Sequence, residues 1–248
     1  MSIALDLAMR IDPVCMVESA GIEPDEWQAR LLRSQASRLL LNCSRQSGKS
    51  TTTAALALHT AMYEANSLTL LLSPGLRQSQ ELFRKCLDIY RALSRWAPPE
   101  AESALRLELE NGSRIVSLPG TEATVRSFSG VKLLIIDEAS RVEDALYMAV
   151  RPMLAVSGGR LVLLSSPFGT RGFYWEAWKN RAQWDYYEVD ATQCPRISPE
   201  FLEEERETMG QWWYEQEYMC KFLDALTAAF RSEDIERIIK PGVEQWSL

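Results

Sequence analysis

The stretch Leu39–Thr51, which reads LLLNCSRQSGKST, decides the fold class of this chain. Three leucines of strand character lead into a short polar loop, and Gly48-Lys49-Ser50-Thr51 opens an alanine-rich helical pattern. A phosphate-binding loop requires this order of strand, loop and helix, because backbone N–H groups of the loop and the helix N-terminus surround phosphate oxygens. The consensus of such loops places glycine where this chain has Cys43. The alternative to a phosphate-binding loop is an ordinary strand–helix turn that contains Gly-Lys-Ser.

In a phosphate-binding loop, the Lys49 ammonium reaches the β- and γ-phosphate oxygens of a nucleotide, and the Ser50 hydroxyl is a ligand for Mg²⁺. We therefore expect ATP and Mg²⁺ as cofactors. The candidate nucleotide-binding residues are those of the loop and the first helical turn: Ser44, Arg45, Gln46, Ser47, Gly48, Lys49, Ser50 and Thr51.

A second stretch, Lys132–Glu138, supplies acidic side chains suited to such a loop. Its four consecutive apolar residues fit a central parallel strand that is covered on both faces. Asp137 and Glu138 follow at the carboxyl end of the strand, where open α/β sheets place their ligands. We expect Asp137 to hold Mg²⁺, directly or through water, and Glu138 to polarise the water that attacks the γ-phosphate. Acidic residues that cap a following helix are the alternative, and the phosphate-binding loop favours the catalytic interpretation.

Two further segments are candidates for nucleotide contacts. Gln28 precedes the loop on a predicted helix that starts at Pro24, and its amide can read the edge of adenine; a helix merely packed on the sheet is the alternative. Ser165-Ser166-Pro167 ends a predicted buried strand beside the strand of Asp137. These hydroxyls could sense the γ-phosphate and relay its loss, whereas an ordinary strand-ending turn is the alternative.

The composition restricts the chemistry and the partners. The sequence holds one histidine, His59, in a helical pattern, so serine–histidine–aspartate catalysis and multi-histidine metal sites are nearly excluded. Its five cysteines include no Cys-x-x-Cys pair, which argues against a zinc site. No apolar run is long enough for a membrane helix, so we expect a cytosolic protein. The net charge of −7 requires that any contact with nucleic acid be local or provided by an assembly.

The order of the predicted elements divides the chain into three parts. Residues 1–183 form the core, in which residues 1–36 are N-terminal helices and a hairpin around Asn111-Gly112 extends one edge of the sheet. Residues 184–223 form a small appended subdomain, with a strand at 184–189, helices at 200–209 and 211–219, and a closing strand at 220–223. Residues 224–248 form a tail with one helix near 232–239.

Taken together, these motifs resemble the ATPase region of the large terminase subunit, the DNA-packaging motor of tailed phages. The family tolerates a non-glycine first loop position and often carries an arginine in the loop, as at Arg45. Its other motifs are similar to Trp27-Gln28, Ile136-Asp137-Glu138-Ala139 and Ser165-Ser166-Pro167, and its lid subdomain is similar to Cys194–Pro199 with Gln216-Glu217-Tyr218. The resemblance implies an α/β P-loop NTPase fold of the additional-strand, catalytic-glutamate type, with a mostly parallel central sheet flanked by helices and a small lid.

The resemblance also implies roles for two arginines. Family members place an arginine before the catalytic strand that can enter a neighbouring subunit's site, and Arg126 is the candidate here, with Arg45 acting in cis. Such an arginine accelerates phosphoryl transfer because it neutralises charge on the transferring group. A solvated or sheet-edge arginine is the alternative for Arg126.

The implied function is ATP hydrolysis that drives double-stranded DNA into a procapsid, in a homo-oligomeric ring with portal protein and small terminase subunit. The expected location is the host cytoplasm and, transiently, the procapsid portal. Large terminases generally continue into a nuclease domain, and we expect no nuclease domain and no DNA cleavage in these 248 residues. A helicase-like nucleic-acid-dependent ATPase and a nucleotide-binding scaffold without turnover are the rival hypotheses.

Overall fold

A computed structural model describes residues 2–93, 99, 101–120 and 128–224. The described strands form one sheet of eight, in the order β3-β4-β5-β2-β6-β7-β1-β8. All neighbouring strands from β5 to β8 in this order are parallel, and β3 and β4 are antiparallel additions at one edge. The strands are β1 Arg38–Cys43, β2 Leu68–Ser73, β3 Ala101–Glu102, β4 Arg106–Glu108, β5 Arg114–Pro119, β6 Leu133–Asp137, β7 Arg160–Ser165 and β8 Asp185–Val189. The predicted mostly parallel α/β sheet is confirmed.

Helices cover both faces of this sheet. They are α1 Ile3–Ile11, α2 Pro13–Ser19, α3 Glu26–Arg33, α4 Lys49–Tyr63, α5 Leu76–Ala92, α6 Asp144–Val150, α7 Gly172–Lys179, α8 Pro199–Met209 and α9 Gln211–Glu217. Helices α1 to α5 bury their apolar residues in one core, and α6 and α7 bury theirs in a second core on the other face. Successive strand residues point to opposite faces. Leu39 and Leu41 of β1 accordingly lie in the first core, and Leu40 lies in the second.

The parallel register brings three strand ends together. Asn42 of β1 is level with Ser165 of β7, and Asp137 of β6 is level with Leu164 of β7. The chain leaves these strands at their carboxyl ends, so the loop after β1, the carboxylates after β6 and the serines after β7 share one edge of the sheet. The fold thereby brings together three segments that are far apart in sequence.

Three element predictions are wrong in detail. The helix predicted to start at Pro24 begins at Glu26, because Asp25 precedes the first turn and its N–H donates to the Gln28 side chain. The strand predicted for the appended subdomain is β8, which pairs in parallel with β1 and therefore belongs to the main sheet. Cys220–Leu223 is not a strand. Instead, the Cys220 carbonyl accepts a hydrogen bond from the Asn42 side chain at 2.8 Å.

Helices α8 and α9 form a hairpin, and Leu202 of α8 packs with Ala191 and Tyr218 in a third, small apolar cluster. Gly210 separates the two helices, as the sequence predicts. The helix predicted near 232–239 lies outside the described residues. In the part of the chain that is described, no helix has both the length and the hydropathy of a membrane span.

Candidate functional site

The loop between β1 and α4 takes a sharply curved path. Gln46 and Gly48 both have positive φ values, of 61° and 90°. The backbone of Gly48 therefore favours glycine, and a Cβ atom there would lie 2.5 Å from the Gln28 amide nitrogen and displace that side chain. The first N–H groups of α4 lack intrahelical acceptors and point out of the helix beside the loop. The curved loop and the start of α4 therefore form a surface suited to an anion.

The side chains of the loop draw its two ends together. The buried Lys49 ammonium donates to the Ser44 carbonyl at 3.3 Å, and the Ser47 hydroxyl donates to the same carbonyl at 2.9 Å. Lys49 thus lies along the concave side of the loop. A phosphate oxygen offers this ammonium a charged acceptor in place of a neutral carbonyl, which makes a stronger hydrogen bond.

Asp137 lies next to the start of α4. The Ser50 hydroxyl donates to the Asp137 carboxylate at 3.4 Å. Burial, together with the neighbouring Glu138 carboxylate, raises the pKa of Asp137 to about 6. A hydroxyl and a carboxylate at this separation are the hard oxygen ligands that Mg²⁺ takes in protein sites, where it keeps waters and substrate phosphates as its other ligands. The predicted metal ligands Ser50 and Asp137 are therefore neighbours and fit this ion.

Glu138 occupies a left-handed backbone conformation, with φ of 50° and ψ of 43°. This conformation turns the chain sharply out of β6, and for a residue other than glycine it costs roughly 1–2 kcal/mol. The Glu138 carboxylate accepts a hydrogen bond from the Ser165 hydroxyl at 3.4 Å. Ser165 in turn lies 2.7 Å from the Ser140 hydroxyl. The hydroxyl of Ser165, the last residue of β7, is therefore linked to the predicted catalytic carboxylate.

A cavity of about 620 Å³ opens in front of these residues. Its lining includes Lys49, Ser50, Gln78, Lys85, Glu138 and Arg141. Lys85 and Arg141 are not among the site residues predicted from the sequence. Lys85 follows Gln78 by seven positions on α5, so the two residues share the helical face that lines this cavity.

A second, smaller cavity of about 190 Å³ lies on the other side of the loop and is lined by Pro24, Gln28, Leu32, Thr51 and Arg196. The buried Gln28 amide oxygen accepts from the Asp25 N–H at 2.9 Å, and its nitrogen donates to the Ser47 carbonyl at 3.3 Å. An amide has two N–H groups and two lone pairs. These two bonds therefore leave one N–H group and one lone pair of the Gln28 amide unused.

Arg45, predicted to act on the phosphates, is held by the hairpin of α8 and α9. Its guanidinium donates to the buried Glu217 carboxylate at 2.7 Å, and its backbone N–H donates to the Glu217 carbonyl. Glu217 also accepts from Ser166 at 3.3 Å and lies 3.7 Å from Arg141. Sequence analysis did not identify this contact, because Glu217 follows Arg45 by 172 positions and no local pattern connects them. Arg126 lies outside the described residues.

Comparison with known families agrees with this geometry. The family model described as "Terminase large subunit, T4likevirus-type, N-terminal" matches residues 40–237. The chain belongs to the terminase large subunit family. The large terminase subunits of Thermus phage G20c and Thermus virus P23-45 are each 26% identical to it over 176 residues, which is 63% of this chain and 36% of theirs. The chain thus spans about a third of the length of these curated relatives.

Solved structures show the same fold. The large terminase ATPase domain of Thermus phage P74-26 matches with a TM-score of 0.74 at 19% identity, over 83% of this chain and 96% of that one. The large terminase of the thermophilic bacteriophage D6E, in complex with ADP, matches with a TM-score of 0.62 at 9% identity, over 84% of this chain and 52% of that one. The predicted P-loop NTPase fold class is confirmed.

Proposed function

We propose that the chain is a Mg²⁺-dependent ATPase that powers packaging of double-stranded DNA into a phage procapsid. The observation that carries the proposal is the convergence of Lys49, Ser50 and Glu138 on one cavity at the carboxyl edge of the sheet, with Asp137 in contact with Ser50. The D6E terminase was solved with ADP and with ATP-γ-S, which supports a nucleotide as the ligand.

In this proposal the loop and Lys49 bind the phosphate chain, and Gln28 offers its remaining N–H and lone pair to adenine in the smaller cavity. Ser50 and Asp137 would hold Mg²⁺, which would supply positive charge to the phosphate oxygens. Glu138 orients a water molecule for attack on the γ-phosphorus, and the Ser165 hydroxyl holds the Glu138 carboxylate in place. Attack breaks the bond to the β-phosphate oxygen and yields ADP and inorganic phosphate.

Loss of the γ-phosphate would affect the α8–α9 hairpin through hydrogen bonds of the two serines. Ser165 bonds Glu138, and the adjacent Ser166 bonds Glu217 of α9. Glu217 also binds Arg45 of the loop. A change at the γ-phosphate can therefore alter how the α8–α9 hairpin is held, and we propose this as the origin of movement. Arg126 is the candidate arginine that a neighbouring subunit of a ring supplies in trans.

The experiment is steady-state phosphate release by the wild type and by Lys49→Ala. We expect turnover in the wild type and its loss in the variant, because the ammonium that binds the β- and γ-phosphates is gone. A scaffold that binds nucleotide without turnover would release no phosphate in either protein. Turnover that is unchanged in Lys49→Ala would contradict the assignment of the site.

Family membership supports the partners that we propose. We propose double-stranded DNA, a portal protein and a small terminase subunit as partners, with the chain acting in the host cytoplasm as part of a ring. We also propose that these residues do not cut DNA. Metal-dependent cleavage of a plasmid by the purified chain, at equal rates in the wild type and in Lys49→Ala, would overturn the proposal that these residues do not cut DNA.

A further inference from the structure

Lys85 lines the larger cavity together with Gln78, which lies on the same helix. It lies on α5, half-buried, two turns after Gln78. The next residue, Cys86, directs its thiol to the Ala54 carbonyl of α4 at 3.6 Å. Ala54 is one turn after Ser50 on α4, and residues four apart share a helical face. This turn of α5 therefore packs beside the face of α4 that carries Ser50.

The cations of this cavity differ in how they are neutralised. Arg45 and Arg141 both pair with Glu217, and the Lys49 ammonium donates to the Ser44 carbonyl. Lys85, in contrast, makes no ion pair or hydrogen bond with the described residues. It is a half-buried positive charge that faces an anion-binding cavity.

The two cavities fix which end of a nucleotide Lys85 would meet. Thr51 lines both, and Gln28 lines only the smaller one, whereas Glu138 and Lys85 line only the larger one. A triphosphate that follows the loop from the adenine cavity past Lys49 ends in the larger cavity. Its terminal phosphate then lies among Lys49, Lys85 and Glu138.

We propose that Lys85 binds the γ-phosphate of ATP from α5, and thereby distinguishes ATP from ADP. The proposal rests on the ATPase function proposed above. An ammonium on a flexible stem can follow the γ-phosphate while the loop holds the α- and β-phosphates. A hydrogen bond from Lys85 to the γ-phosphate adds affinity only for a nucleotide that carries the third phosphate.

The test compares the binding of ATP-γ-S and ADP to the wild type and to Lys85→Gln by titration calorimetry. We expect the variant to lose about 10- to 100-fold in affinity for ATP-γ-S, which is the size of one charge-assisted hydrogen bond, and to keep its affinity for ADP. Lys85→Arg should restore part of the preference for ATP-γ-S. Repeating the titrations with EDTA separates the phosphate contact from an effect on Mg²⁺, because the selective loss should persist without the metal.

Arg84→Gln is the matched control. Arg84 is the preceding residue on α5, its side chain is exposed, and it pairs with Glu81. We expect this variant to bind both nucleotides like the wild type. Equal losses for ATP-γ-S and ADP in Lys85→Gln, or no loss for either, would overturn the proposal for Lys85 while leaving the ATPase function intact. A wild type that binds neither nucleotide would overturn both.

Discussion

Single residues of the loop set its shape before any ligand binds. Gly48 has a φ of 90°, and its Cα lies so close to Gln28 that a Cβ atom would stand 2.5 Å from the amide nitrogen. Gln28 is in turn bonded to the Ser47 carbonyl and the Asp25 N–H. The loop and Gln28 are therefore packed as one unit. A change at either should disturb both cavities.

Gly48→Ala should therefore both destabilise the fold and weaken nucleotide binding. The left-handed backbone alone costs roughly 1–2 kcal/mol with a side chain present, and displacement of Gln28 adds to this. Gly21→Ala is the control, since Gly21 has a φ of 80° but nothing within 4 Å of an added Cβ. Chemical denaturation and ATP-γ-S titration of both variants check this. If Gly48→Ala binds ATP-γ-S as tightly as Gly21→Ala does, the packing against Gln28 does not matter for binding.

At the scale of elements, α1 is joined to α4 through His59. The His59 ring makes a 3.0 Å hydrogen bond to the Met9 carbonyl, and burial lowers its pKa from 6.5. The unfolded chain thus binds a proton at His59 more readily than the folded chain does. Stability from this group is complete above pH 6.5 and is lost as the pH falls towards the lower, folded-state pKa.

Replacing His59 with glutamine should remove this pH dependence, because glutamine can donate to the same carbonyl and does not titrate. We expect the melting temperature of the wild type to fall more than that of His59→Gln between about pH 7 and pH 5. Asp137 has a raised pKa, so its contribution to stability increases as the pH falls over the same range. This contribution is equal in the two proteins. If the melting temperatures of the two proteins fall equally between these pH values, His59 is not shielded from protonation in the folded state.

The elements that were predicted correctly have local signals, and those that were not depend on distant contacts. Four apolar residues before Asp137 predict a buried strand, and the loop sequence predicts the strand and helix around it. No local signal shows that β8 pairs with β1, because its five residues would fit the edge of the sheet or a separate subdomain. Likewise, Arg45 carries a phosphate-loop pattern, whereas its contact with Glu217 depends on how a later hairpin packs.

For the whole molecule, net charge governs contact with DNA. A chain with a charge of −7 repels the phosphate backbone except at local basic surfaces, so the isolated chain should bind DNA weakly. We expect dissociation constants weaker than about 10⁻⁶ M at about 0.15 M salt. Fluorescence anisotropy across a salt series measures this. Tight, sequence-independent binding at that salt concentration would mean that the chain carries a strong DNA surface without its assembly.

The role that we propose for Glu138, activation of the attacking water, is tested by single-turnover and steady-state hydrolysis of ATP by Glu138→Gln. Glutamine keeps the size of the side chain and can still contact Ser165, but it cannot act as a base. We expect ATP-γ-S binding to be retained and kcat to fall roughly 10²- to 10⁴-fold. Hydrolysis by Glu138→Gln at a rate near that of the wild type would show that Glu138 does not activate the attacking water.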